Sequence, residues 1–129
     1  MPKKILWIED SDYLVSILKE SFEGAGYTVD FALDGEKGIN LAFTNKYDLI
    51  ITCIMLPKFD GMQVIKRIKS NDISKNTPIM VCSNLGNEQI VNECLKLGAI
   101  KFLIKSSLTL EQLSNEIKRF FDDQQANQI

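Results

Sequence analysis

Four places in the sequence carry residue types able to do chemistry together: the adjacent acids Glu9 and Asp10, then Cys53, Ser83 and Lys105. Two neighbouring carboxylates suit a hard divalent cation, and magnesium usually takes one or two protein carboxylates plus waters and a phosphate oxygen. A hydroxyl and a lysine facing that pair would bind the remaining phosphate oxygens. Taken singly, each feature has a plainer reading, in which Glu9 and Asp10 cap a helix and Lys105 is solvated. The cysteines Cys53, Cys82 and Cys94 are widely spaced, without a CxxC, and the chain has no histidine. That pattern argues against a disulfide framework and an ordinary zinc site, and a reducing cytoplasm is the simplest compartment.

These positions do work together only if the fold brings them to one place. Five short apolar runs, Ile5–Ile8, Tyr27–Ala32, Leu49–Cys53, Ile79–Cys82 and Ile100–Ile104, alternate with stretches of helical period. The first helical stretch opens at Ser11/Asp12, carries Leu14, Ile17, Leu18, Phe22 and Ala25, and closes at Gly24 and Gly26. The second follows Asp34 with Ile39, Ala42 and Phe43; the third follows Asp60 with Val64, Ile65 and Ile68. A fourth has Ile90, Val91, Cys94 and Leu95 before Gly98, and a fifth opens on a Thr109/Gln112 capping box with Leu110, Leu113, Ile117 and Phe120.

Nearly continuous apolar strands alternating with amphipathic helices predict a parallel sheet covered on both faces, because right-handed crossovers place a helix after each strand. The expected fold is therefore α/β: a flavodoxin-like, doubly wound, five-stranded sheet with strand order 2-1-3-4-5 and five helices. In that architecture ligands sit at the carboxyl ends of the strands, beside the switch point between strands one and three. Glu9-Asp10, Cys53, Ser83 and Lys105 each follow or end a strand and so converge on one rim.

The chain has 129 residues, 45% of them hydrophobic, which is enough for one core and too little to suggest two. Residues 1–122 are expected to form that domain, with 123–129 a polar tail or the start of a linker. A net charge of −2 with both signs scattered gives no basic field for direct nucleic acid or anionic membrane binding. The apolar run near the amino terminus is cut off by Glu9 and Asp10, too short for a signal segment or a membrane span.

Residues 3–121 resemble the receiver domain of two-component response regulators. YDLIITCIMLPKFDG, residues 47–61, is similar to the family's phosphoacceptor strand and following loop, including Leu56-Pro57 and Asp60-Gly61. ILWIEDS resembles its acidic-pair strand, PIMVCSN the strand ending in the switch hydroxyl, and GAIKFLIK the strand with an aromatic three residues before the lysine. The resemblance implies Asp10 as a direct Mg²⁺ ligand, Glu9 as a ligand through water, and the backbone carbonyl of Met55 as a third. It implies that Ser83 hydrogen-bonds the incoming phosphoryl group, that Lys105 pairs with it, and that Phe102 turns inward when Ser83 is drawn toward the phosphate. It further implies a signalling module and not an enzyme. Its partners would be a histidine kinase or histidine phosphotransfer protein, and an output domain or partner on the face of the fourth helix, fifth strand and fifth helix.

The sequence departs from this pattern at the acceptor position, where Cys53 replaces aspartate. A thiol has a reference pKa of about 8.5 and is mostly neutral unless perturbed. Lys105 would lower that value and the two acids would raise it, so sequence leaves the sum open. The sulfur also reaches about 1 Å less far than a carboxylate oxygen, a misplacement able to cost on the order of 100-fold in rate. Sulfur is a poor magnesium ligand, so metal affinity should fall. Phosphorylation is therefore expected to be lost or strongly reduced. A single Asp→Cys replacement, most economically an engineered one, explains an otherwise complete set; the alternatives are a natural pseudo-receiver acting as a binding module, and a flavodoxin-like thiol or redox protein. Against the last, Cys82 should point away from the rim because strand side chains alternate, so Cys82 and Cys94 read as small buried hydrophobes.

Two further departures lie nearby. Ser106 follows Lys105 where the family usually has a proline with a cis peptide bond; a cis bond before a non-proline residue costs roughly 2.5–4 kcal/mol, so a trans bond and a less well aimed Lys105 are expected. Asn84 follows Ser83 where the family commonly has a small residue, and it either narrows access to the phosphate or fills the loop.

Overall fold

The computed structural model describes residues 2–126. The strands are β1 (Lys4–Ile8), β2 (Thr28–Ala32), β3 (Leu49–Thr52), β4 (Ile79–Ser83) and β5 (Lys101–Ile104), all parallel, in the order β2-β1-β3-β4-β5. The helices are α1 (Asp12–Gly24), α2 (Gly35–Thr44), α3 (Gly61–Lys69), α4 (Glu88–Leu97) and α5 (Leu110–Ala126), with a short 3₁₀ turn over Lys105–Ser107. The expected architecture is the one observed.

Every residue of β3 and β4 is buried, as a sheet covered on both faces requires. Alternation along the strands then divides the core in two. Leu6, Ile8, Ile50 and Val81 pack against Ile39 and Ala42 of α2, Val64, Ile65 and Ile68 of α3, and Cys94 of α4. Ile5, Trp7, Ile51, Met80 and Cys82 pack against Leu18 and Phe22 of α1 and Leu113, Ile117 and Phe121 of α5. Cys82 and Cys94 are thus core side chains in opposite layers. Among the described residues no helix is long and apolar enough to cross a membrane.

The helix starts follow the caps that the sequence offers. Ser11 accepts from Leu14 N–H, Asp34 from Lys37 N–H, and Asp60 and Gln63 form a reciprocal capping box, as do Thr109 and Gln112. Asn87, which the apolar periodicity does not single out, caps α4 by accepting from Ile90 N–H. Two leucines assigned to apolar stripes are instead exposed, Leu95 at 43% and Leu110 at 38%. Leu95 lies beside Cys94, the one buried residue of α4, and Leu110 sits at the first position of α5, at the mouth of a cavity that it shares with Trp7, Leu14 and Cys82.

Helix α5 also runs past Phe121 to Ala126. Residues 123–126, expected as a tail, continue the helix because backbone hydrogen bonding propagates it without needing burial; residues 127–129 lie outside the described region.

Gly61, at the start of α3, sets the site's floor. A Cβ there would fall 2.1 Å from the Cys53 carbonyl oxygen, and Gly61 N–H bonds Ile54 O at 2.7 Å. Only a residue without a side chain lets α3 approach the end of β3 this closely. Gly61→Ala is expected to destabilise the chain by roughly 1–3 kcal/mol in urea unfolding, the usual cost of overpacking.

Candidate functional site

Backbone bonds at the carboxyl ends of the strands place the reactive side chains. Glu9 N–H bonds Ala32 O at 2.9 Å and Cys53 N–H bonds Ile8 O at 3.1 Å, which sets Glu9 and Cys53 side by side just past β1 and β3. Ser83 ends β4, and Lys105 follows β5 at the head of the 3₁₀ turn.

Glu9 is the hub. Its side chain is 1% exposed, and Oε1 accepts from Lys105 Nζ at 2.6 Å and from the Cys53 thiol at 3.0 Å, while Oε2 accepts from Ser11 N–H at 3.0 Å. Lys105 Nζ also lies 3.4 Å from Cys53 Sγ. Burial by itself would push the Glu9 carboxyl up, but the bonds from Lys105, Cys53 and Ser11 outweigh it and hold the group below its ordinary range. Burial would push the Lys105 amine down, and the Glu9 carboxylate reverses that, raising it. The pair is therefore ionised at neutral pH.

The balance that sequence left open for Cys53 has a definite sign. Burial raises the thiol strongly, and the hydrogen bond and charge of Glu9 raise it further; Lys105 opposes them and loses. Cys53 is a neutral thiol donating its proton to Glu9. Because the thiolate is the nucleophile, its alkylation by iodoacetamide at pH 8 should be slower by more than about tenfold in the native chain than in urea. The same raised pKa means that stability present below the thiol's unfolded value is lost as pH climbs above it, so unfolding should become easier above about pH 9 and less so in Cys53→Ala.

Ser83 is 4% exposed and its Oγ accepts from Leu85 N–H at 3.2 Å. Phe102 is half-buried, with its ring against Gly86 of the β4–α4 loop, where an added Cβ would come within 2.8 Å of Cε1. Asp10 is exposed and shares an open depression with Met55, Asp60 and Leu85. The structure thus gathers Glu9, Cys53 and Lys105 into direct contact and leaves Asp10 and Met55 at the rim.

The donor set fits magnesium in part. Asp10 offers a solvent-facing carboxylate, which suits an ion that keeps several waters. Glu9, however, is already engaged by Lys105, and the neighbouring Cys53 offers sulfur, a poor donor for magnesium. Among the described residues no group of three or more acids, cysteines or histidines is gathered closely enough to hold a metal by itself.

The Lys105–Ser106 bond is trans, as expected. From this trans turn Lys105 reaches both Glu9 and Cys53. Its turn is held from outside by Asn84, whose Oδ1 accepts Ser106 N–H at 2.7 Å. That bond links two departures separately visible in the sequence, and nothing local in either segment signals it.

A five-stranded doubly wound sheet with its polar groups gathered beyond β1, β3, β4 and β5 defines a flavodoxin-like domain with a switch-point site. The chain belongs to the response regulator receiver domain family, whose model matches residues 5–118. It is 34% identical over 124 residues to the transcriptional regulatory protein CrdR of Helicobacter pylori, covering 95% of this chain and 57% of that protein. It is 36% identical over 105 residues to the alkaline phosphatase synthesis transcriptional regulatory protein PhoP of Bacillus subtilis, covering 81% and 43%. The chain thus spans about half the length of these curated relatives. Among solved structures, a two-component response regulator from Clostridium difficile superposes with a TM-score of 0.84 at 32% identity, covering 93% of this chain and 96% of that one. The Francisella response regulator 1452 receiver domain gives 0.84 at 28% identity, covering 95% and 98%.

Proposed function

We propose that this receiver domain serves a two-component phosphorelay with its phosphoryl acceptance impaired, because Cys53 occupies the acceptor position. The observation that carries this reading is the meeting of Lys105, Glu9 and Cys53 Sγ within hydrogen-bonding distance. A lysine and an acid converge there on a group that cannot do the work asked of it. An aspartate would present an ionised oxygen to the transferring phosphoryl group; Cys53 presents a neutral, buried thiol whose proton is held by Glu9.

The remaining residues keep their uses. Lys105 neutralises charge on a phosphoryl group, and Ser83 exchanges its Leu85 N–H contact for a phosphate oxygen, giving Phe102 room to move inward as the loop shifts. Asp10, Glu9 and the Met55 carbonyl would hold Mg²⁺, which when bound neutralises the transferring phosphoryl oxygens. With sulfur in place of one oxygen that affinity is weakened. A histidine kinase or histidine phosphotransfer protein would supply the phosphoryl group in the cytoplasm. The readout would pass through the α4–β5–α5 face to an output domain or partner protein.

One observation favours a second reading, a pseudo-receiver that binds partners without phosphorylation. Among the described residues no buried side-chain polar atom lacks a partner, so the Glu9–Lys105–Cys53 cluster is complete without a ligand. A thiol or redox enzyme is disfavoured by the neutral Cys53 and by Cys82 facing the other layer. Magnesium-dependent uptake of a phosphoryl group from acetyl phosphate by Cys53→Asp, and not by the chain itself, separates the first reading from the other two; an unlabelled Cys53→Asp would favour the pseudo-receiver.

A further inference from the structure

Lys105 sits at the head of a turn that has little to hold it. The 3₁₀ turn Lys105–Ser107 has no side-chain cap at its amino end, and both Ser106 and Ser107 are exposed. A lysine reaches Glu9 through a flexible four-carbon stem, so that contact alone does not fix the backbone that carries it. Support comes instead from the neighbouring strand end, where Asn84 Oδ1 accepts Ser106 N–H at 2.7 Å, across 22 residues of chain. Asn84 directly follows Ser83, whose Oγ is itself tied to Leu85 N–H.

The geometry points to Asn84 as a positioning residue for Lys105, acting through the Ser106 amide and joining the Ser83 strand end to the lysine turn as one unit. Asn84 bonds the Ser106 amide, whereas the side-chain hydrogen bonds of Glu9 and Cys53 run to Lys105, Ser11 and each other. It replaces, by one side-chain bond, a constraint that the turn's own sequence lacks. The Asn84 side chain accepts this bond through its oxygen, so a carboxylate of the same length can replace it and a methyl group cannot. On this basis displacement of Ser83 toward a ligand would be transmitted to Lys105. That last consequence rests on the phosphoryl reading above, whereas the positioning itself does not.

The test reads Lys105 directly, with no phosphoryl donor present. Acylation of the folded chain by an N-hydroxysuccinimide ester is followed by peptide mass spectrometry, with the exposed Lys19 and Lys66 as internal references. Asn84→Ala is expected to speed modification of Lys105 by about 2- to 10-fold relative to those references, the factor corresponding to one hydrogen bond's net contribution. Asn84→Asp should restore the slow rate. Ser106→Pro removes the donor, so in that background Asn84→Ala should change nothing further. An unchanged Lys105 rate in Asn84→Ala, an equally fast rate in Asn84→Asp, or a uniform rise across all three lysines would overturn the assignment. Failure of Cys53→Asp to take up phosphoryl leaves this result untouched, so the two readings fail separately.

Discussion

Lys105→Met is expected to lower the stability of the folded chain by about 3 kcal/mol at pH 7, at the low end for breaking a buried ion pair because Lys105 keeps partial exposure. The substitution preserves the length and most of the apolar stem while leaving Glu9, 1% exposed, with only Ser11 N–H and the Cys53 thiol as partners. The pH dependence identifies the cause. In the parent chain Glu9 is held below its ordinary value, so its stabilisation is present above that value and is lost as pH falls through the lower native one. Without Lys105, burial dominates and the native carboxyl lies above its unfolded value. The variant then regains stability as pH falls from 7 toward 5 and Glu9 takes up a proton. Urea unfolding at the two pH values reads both effects. A deficit below about 1 kcal/mol, the scale of a surface pair, would show that Glu9 does not depend on Lys105.

The second large effect concerns Cys53→Asp. The replacement puts a second carboxylate where a thiol now donates to Glu9 at 3.0 Å. Two like charges about 4 Å apart repel by roughly 4 kcal/mol at an effective dielectric near 20, and Lys105 offsets part of this. A loss of about 2 kcal/mol in magnesium-free buffer is expected. Magnesium should reverse it, because an ion that binds only the folded chain stabilises it by an amount that grows with the logarithm of its concentration relative to the dissociation constant. Thermal melts with and without a chelator should therefore show a large magnesium-dependent rise for Cys53→Asp and a small one for the parent chain. Equal shifts in both would mean that the sulfur does not weaken the metal site.

The sheet was legible because its signals are local. Apolar runs of strand length alternate with helical stripes, and Ser11, Asp34, Asp60 and Thr109 mark helix starts by a bond to an amide three residues on. Which side chains meet at the rim followed from the strand order. How they meet did not. The direction of the Cys53 shift depends on burial and on Glu9 folding back from its strand end, and both are properties of packed space. The Asn84–Ser106 bond joins two loops that no periodicity relates, so Ser106 alone does not reveal how the lysine turn is held. The outward turn of Leu95 and Leu110 was likewise hidden, since an apolar residue at helical spacing reads the same whether or not a neighbour covers it. The extension of α5 to Ala126 escaped because a solvated helix end needs no apolar residue to announce it.

A thiol in place of a carboxylate at position 53 is what separates this site from a working phosphoacceptor. Intact-mass spectrometry of the parent chain and of Cys53→Asp, after parallel incubation with acetyl phosphate and Mg²⁺, tests it most directly. The parent chain is expected to stay unmodified and Cys53→Asp to carry one phosphoryl group, which does not form when Mg²⁺ is removed beforehand. A phosphoryl group on Cys53 of the parent chain would contradict it.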